Sequence, residues 1–279
     1  MMAAMDYVEH FHREARSFLD AARRAVGDGA APGVPSCPGW TMTELVLHLG
    51  SVHRFVARVV SERLVAAPAF DDLSWLGLSA EHEGWLRELM ARREEELAAD
   101  EPPARRPLPA AVVDWLEAGA AELERQFQST SADEPVWTWG ASQTVGFWQR
   151  MQAIEAAIHR WDAENALGRP GPMDAELAVD AIVQTFEVMA PMRRARSHAP
   201  PGHGERFRFT RADGPGDWAV RFDADLVVLA DDEEACDVEI AGTASDLMLF
   251  LWHRVPVDVL DVQGDARLAD SYFDFVPPL

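Results

Sequence analysis

Apolar residues recur at helical spacing through the first two-thirds of the chain. Val8, Phe11, Phe18, Leu19, Ala22 and Val26 form one stripe, which predicts an amphipathic helix over 5–26. The stretch "GDGAAPGVPSCPGW" ends it. Thr41 and Glu44 then stand in the T-x-x-E relation of a capping box, followed by Leu45, Leu49, Val52, Val56 and Val59, which predicts a second helix carrying His48 and His53. A third helix is expected over 80–98, then the proline-rich connection "EPPARRPLP", and a fourth over 110–127 through Val113, Leu116, Ala120 and Leu123. A fifth runs over 145–167 and stops at "GRPGP". Helices joined by short to moderate polar connections point to an antiparallel bundle.

A further helix, "DAELAVDAIVQTFEVMAPM", leads to "RRARSHAPPGHGER", whose Arg, Pro, Gly and His content reads as a loop or hinge. Beyond it the period changes. "RFRFTRA", "WAVRFDA" and "LVVLA" have strand composition, while "DVEIAGTASDLMLFLWHR" and "VDVLDVQGDARLADSYF" each read as a strand and then a helix. The expected architecture is a mainly α N-terminal four-helix bundle over 1–190 and a small α/β (α+β) C-terminal domain over 191–279.

Composition narrows the function. The chain has 279 residues, 48% of them hydrophobic, enough for one large core or two ordinary ones. Its longest apolar run, "LMLFLW", is too short to span a bilayer, and the acidic start lacks the basic-then-apolar order of a signal peptide, so a cytoplasmic protein is expected. A formal charge of −22, from 47 acidic against 25 basic residues, argues against nucleic acid and against an anionic membrane surface as partners. Every basic residue is Arg, which suits a GC-rich genome and excludes Schiff-base chemistry on lysine. Cys37 and Cys236 are too far apart in sequence for a metal-ligand pair and read as two reduced thiols.

Candidate chemistry concentrates in "IEAAIHRWDAE". Glu155 and His159 lie four apart on one helical face, where a solvated ion pair and a shared metal both fit. A catalytic zinc site needs three protein ligands and an open position, and His48, on the capped second helix, is the candidate third. Gln152 and Asp162 sit one turn either side of the pair, placed to orient ligands by hydrogen bonding or simply to solvate the helix. His53, five residues from His48, points elsewhere and reads as structural or exposed. Arg160 reads as a partner for acidic neighbours, and His198 and His203 as solvated. Arg193, Arg194 and Arg196 suit either an anionic substrate or the negative end of a helix. No phosphate-binding loop, dinucleotide fingerprint or nucleophile elbow is present.

Three blocks carry a family resemblance. "VPSCPGWTMTELVLHLGSVHRFVARVV" resembles the signature of the mycothiol-dependent maleylpyruvate isomerase family, a branch of the DinB-like metal-binding bundles. "FWQRMQAIEAAIHRWDAENALGRPGPMDAELAVDAI" is similar to its second signature, and "TASDLMLFLWHRVPVDVLDVQGDARL" to its small C-terminal domain. The resemblance implies a DinB-like four-helix bundle with His48, Glu155 and His159 as ligands of zinc or another divalent metal. It also implies a role for Arg254 in activity or substrate binding, although most relatives carry Gly at the position of His253. The implied activity is that of an enzyme taking mycothiol, a low-molecular-weight thiol, as cofactor or co-substrate, to isomerise a small electrophilic substrate or to transfer sulfur to it. A non-catalytic, metal-stabilised binding or carrier protein is the alternative. A 2-His-1-carboxylate iron oxygenase ranks below both.

Overall fold

The computed structural model describes residues 5–69, 73–94, 106–230 and 235–278. The chain forms two compact units, Met1–Gly171 and Pro172–Leu279. This boundary precedes the one expected after residue 190, because the helix that follows Asp174 packs against elements of the second unit.

The first unit contains α1 (Tyr7–Arg24), α2 (Met42–Ser61), α3 (Ala80–Glu94), α4 (Ala110–Ser129) and α5 (Val145–Ala166). Helix α1 packs on α5 and α4, α2 packs on α4 and α5, and α3 lies against α2. The predicted stripe is what packs: Phe11, Phe18, Leu19 and Ala22 are buried, and Val26, just beyond the helix, is exposed. Leu45, Leu49, Val56 and Val59 of α2 and Val113, Leu116, Ala120 and Leu123 of α4 are buried likewise. Of the segments expected earlier, 95–98 of the third helix and 101–105 of the proline-rich connection lie outside the described residues.

Helix α5 is buried almost all round, and its polar residues therefore carry information. Gln152 and Asp162 are fully buried. Arg160 does pair with acidic neighbours: its guanidinium donates to Glu14 at 3.0 Å and Glu164 at 2.9 Å, and also to the Gly171 carbonyl at 2.9 Å.

The second unit opens with α6 (Ala175–Gln184), a single π-helical turn (Thr185–Met189) and α7 (Ala190–Ser197). Strands β1 (Gly202–Arg211), β2 (Asp217–Ala224), β3 (Leu226–Ala230), β4 (Val238–Gly242) and β5 (Asp261–Gly264) form one sheet in the order β3-β2-β1-β4-β5. All neighbours are antiparallel except β1 and β4. Alternation along β1 and β2 turns Phe207, Phe209, Val220 and Phe222 inward. The three phenylalanines pack around Tyr272, whose ring lies 5.4 Å from Phe207 and 5.4 Å from Phe250 of α8 (Ala244–Leu251). Two short helices, α9 (Ala266–Asp270) and α10 (Tyr272–Phe275), close the unit. No helix among the described residues is long and apolar enough to cross a membrane.

The "RRARSHAPPGHGER" segment differs from its expected loop. Helix α7 continues through Ser197 and β1 begins at Gly202, so only a short link separates them. Arg193 and Arg194 are each 3% exposed, and their environment explains why. Arg194 donates to the carbonyls of Phe275 at 2.7 Å, Ala224 at 2.8 Å and Pro200 at 2.9 Å, so one guanidinium serves carbonyls at the ends of α10 and β2 and in the link before β1. Arg193 lies over the Trp252 ring at 5.0 Å and donates to the Leu251 carbonyl. The two arginines act as internal struts, and only Arg196 of the cluster is exposed.

Two substitutions test this packing. A Cβ at Gly50 would meet the Trp115 ring at 2.1 Å, and the indole is held by its bond to the Leu76 carbonyl at 2.7 Å. Gly50→Ala is expected to destabilise the protein by about 3 kcal/mol in chemical denaturation. Arg194→Met keeps the bulk but strands three carbonyls, and a loss of about 2–3 kcal/mol is expected in the same measurement.

Candidate metal centre

The start of α2 is tightly specified. Thr41 accepts a hydrogen bond from the Thr43 amide at 3.2 Å, and Glu44 reaches back to the Thr41 amide at 2.9 Å, completing the capping box read from the sequence. This sets the rotation of the first turns and so the direction of His48. On α5, Glu155 and His159 follow at the i, i+4 spacing that puts them on one face.

The three side chains come together. His48 Nε2 lies 3.3 Å from Glu155 Oε1, and His159 Nε2 lies 3.9 Å from the same oxygen. One ligand atom from each falls within 4.8 Å of the others. The two imidazoles meet edge to face, with centroids 5.1 Å apart. Their side chains are 11% and 7% exposed and that of Glu155 is 15% exposed, so the cluster is largely withdrawn from water. Trp40, in the loop before α2, packs its ring 5.2 Å from that of His48.

Hydrogen bonds orient the cluster from behind. Asp162 Oδ2 lies 2.9 Å from His159 Nδ1, which favours the tautomer protonated at Nδ1 and leaves the Nε2 lone pair aimed at Glu155. Gln152 donates its amide to Glu155 Oε2 at 3.3 Å, so the other oxygen, Oε1, faces the imidazoles. Burial by itself raises the Glu155 pKa. The His48 hydrogen bond and charge, then the charges of His159 and His53, outweigh it and bring the carboxyl down to about 2.

His53 takes the structural one of its two expected places, outside the group of possible ligands. It is fully buried, edge-on to Phe11 at 5.1 Å, and neither ring nitrogen has a hydrogen-bond partner among the described residues. Burial, with smaller contributions from its charged neighbours, lowers its pKa to about 3, so it stays neutral beside the cluster. His198 and His203 are exposed, as expected. Sequence reasoning passed over Ser36, whose hydroxyl donates to Asp162 Oδ1 at 2.6 Å, and read Cys37 as a reduced thiol without a role, whereas its thiol lies 3.6 Å from Asp162 Oδ2. The available signal was positional: both residues immediately precede the capped helix that carries His48.

Arg254 belongs to the second unit. Helix α8 ends in a Schellman arrangement, with the His253 amide bonded to the Phe250 carbonyl and the Arg254 amide to the Leu249 carbonyl, each at 2.7 Å. His253 takes the left-handed position at φ 60°, the conformation glycine adopts without strain. Arg254 is half-buried just beyond it and donates to the Trp252 carbonyl at 2.8 Å.

The donor set suits a divalent metal. Two imidazole nitrogens and one carboxylate oxygen make the His₂Glu combination of catalytic zinc sites, and three protein donors leave a coordination position open. The carboxylate is anionic near neutrality, and one imidazole already has its lone pair directed inward.

Comparison with known proteins places the whole chain. The mycothiol maleylpyruvate isomerase N-terminal domain matches residues 11–164, and the MDMPI C-terminal domain matches residues 176–271. Among solved structures, the crystal structure of a mycothiol-dependent maleylpyruvate isomerase is 12% identical, with a TM-score of 0.59 over 93% of both chains. A histidine-to-alanine mutant of such an isomerase is 13% identical, with a TM-score of 0.60 over 93% of both chains. At these identities the likeness establishes the fold. No curated protein matches the chain. With both of its domains matched in order, this chain belongs to the mycothiol maleylpyruvate isomerase family.

Proposed function

We propose that the protein is a thiol-dependent enzyme of the isomerase type, with one divalent metal, zinc by its donor chemistry, held by His48, Glu155 and His159. The convergence of these three donors within 4.8 Å, largely withdrawn from water, carries the reading. The co-substrate proposed is mycothiol, in keeping with the names of the family and of the solved relatives. The reaction is reversible addition of the thiol to a conjugated double bond of a small electrophile, rotation about the bond that has become single, and elimination. Transfer of the thiol to an electrophile would begin from the same activated sulfur.

When bound, the metal would supply a Lewis-acid position that lowers the pKa of a thiol entering it. The chain's own residues prepare that position. Glu155 contributes a single negative charge, so a divalent ion there retains net positive charge and favours an anionic sulfur over a neutral one. His53, neutral and fully buried, adds no competing positive charge. Asp162 holds the His159 ring in the ligating tautomer, and Gln152 holds the Glu155 carboxylate in place. The Trp40 ring covers one side of His48 and limits the approach of water. Arg254 is proposed to bind a carboxylate of the substrate or of the thiol, since guanidinium pairs with planar anions through two parallel hydrogen bonds.

Metal analysis of the purified protein tests the centre. About one zinc per chain is expected in the wild type, and loss of it in His48→Ala and Glu155→Ala with helical content unchanged by circular dichroism. A wild type that stays metal-free after incubation with zinc would remove the reading. Arg254→Ala is expected to keep its zinc and to lose on the order of 100-fold in kcat/KM with mycothiol and maleylpyruvate. Undiminished turnover in that variant would remove Arg254 from the substrate site.

A further inference from the structure

Asp162 is fully buried, and three donors converge on its carboxylate. His159 Nδ1 and the Cys37 thiol approach Oδ2 at 2.9 and 3.6 Å, while the Ser36 hydroxyl donates to Oδ1 at 2.6 Å. Ser36 and Cys37 lie in a small closed loop. The Val34 amide bonds to the Trp40 carbonyl at 2.9 Å, and the Cys37 and Trp40 amides bond to the Val34 and Cys37 carbonyls at 3.0 Å each. Gly39, at φ 79°, supplies the left-handed residue the loop needs to close. The loop then runs directly into the Thr41 cap of α2. It therefore meets the cluster twice, through His48 on the helix it starts and through Asp162 on the helix it touches.

We propose that Ser36 is a positioning residue of the metal centre, acting through Asp162 on His159, with Cys37 as a weaker second clamp on the same carboxylate. The inference rests on the metal reading given above. Its physical basis is the rotation of the Asp162 carboxylate about its last side-chain bond. With Oδ1 tied to Ser36, Oδ2 is held toward Nδ1 of His159. Without that tie the carboxylate turns more freely, the Nδ1 bond weakens, and the imidazole can shift its proton to Nε2, the nitrogen that must carry the lone pair. The hydroxyl is the stronger clamp because a thiol is a weak donor and sits at the longer distance. Partners behind a metal ligand typically alter metal affinity by about 10- to 100-fold when removed.

Zinc affinity, measured by competition with a chromophoric chelator on the full chain, tests this in wild type, Ser36→Ala, Ser36→Thr, Asp162→Asn and the Ser36→Ala/Asp162→Asn double variant. Ser36→Ala is expected to bind zinc about tenfold more weakly, with Ser36→Thr restoring most of the loss. The double variant should bind no more weakly than Asp162→Asn alone, because the hydroxyl acts only through that carboxylate. Melting of the metal-free proteins separates a merely structural role, which would lower stability and leave the affinity of the folded protein unchanged. Wild-type affinity in Ser36→Ala, or losses that add in the double variant, would overturn the proposal while leaving the metal centre standing. Absence of zinc binding by the wild type would overturn both.

Discussion

A carboxylate buried between two imidazoles is the constraint around which the bundle is arranged. Removing Glu155 from water raises its pKa, and the hydrogen bond and charge of His48, with a smaller contribution from His159, oppose that rise. Such compensation requires distances of a few ångströms, so α2 and α5 must meet at one rotation and one register. The capping box of α2 and the nearly complete burial of α5 provide both. The cost of burying charge then spreads outward. Gln152 and Asp162 each use a polar atom to hold a member of the cluster, and Ser36 and Cys37 in turn hold Asp162. Gln152 and Asp162, deep in α5, are thus explained by the cluster, and the cluster's geometry by them.

Much of this was legible in the sequence because helices announce themselves through local pattern. The stripe in α1, the T-x-x-E start of α2 and the stop after α5 each depend on residues within a few positions of one another. The i, i+4 relation of Glu155 and His159 is equally local. The part that was hidden depends on tertiary distance. Ser36 and Asp162 are separated by 126 residues, and no spacing rule connects them. The choice between a structural and an exposed His53 stayed open for a related reason: the angle from His48 on one helix says which way a residue leaves that helix, but not that α1 covers it with Phe11.

The second unit shows where composition misleads. Arg, Pro, Gly and His in "RRARSHAPPGHGER" suggest exposed loop, and average burial preferences support that expectation. Arg193 and Arg194 are inside because the unit leaves backbone carbonyls at Leu251, Pro200, Ala224 and Phe275 that need donors. A guanidinium supplies several donors from one side chain, which fits this need better than any neutral residue. The strands and α8, by contrast, follow their alternation and their Thr243 cap, and were readable for that reason.

The chain keeps its relatives' fold over 93% of its length at 12–13% identity, which bounds what the fold demands of individual residues. Apolar positions need only the right period and approximate volume. A charged cluster is less tolerant, since an imidazole displaced by an ångström neither compensates a buried carboxylate nor ligates a metal. The loop from Val34 to Trp40 joins these two demands in one short segment, because it leads into the α2 cap and also places Ser36 and Cys37 against Asp162. A change there acts on the helix start and on the His159 ring together. Fold and site are coupled in this chain through that segment more directly than through the hydrophobic core, where substitutions that preserve volume leave the polar geometry alone.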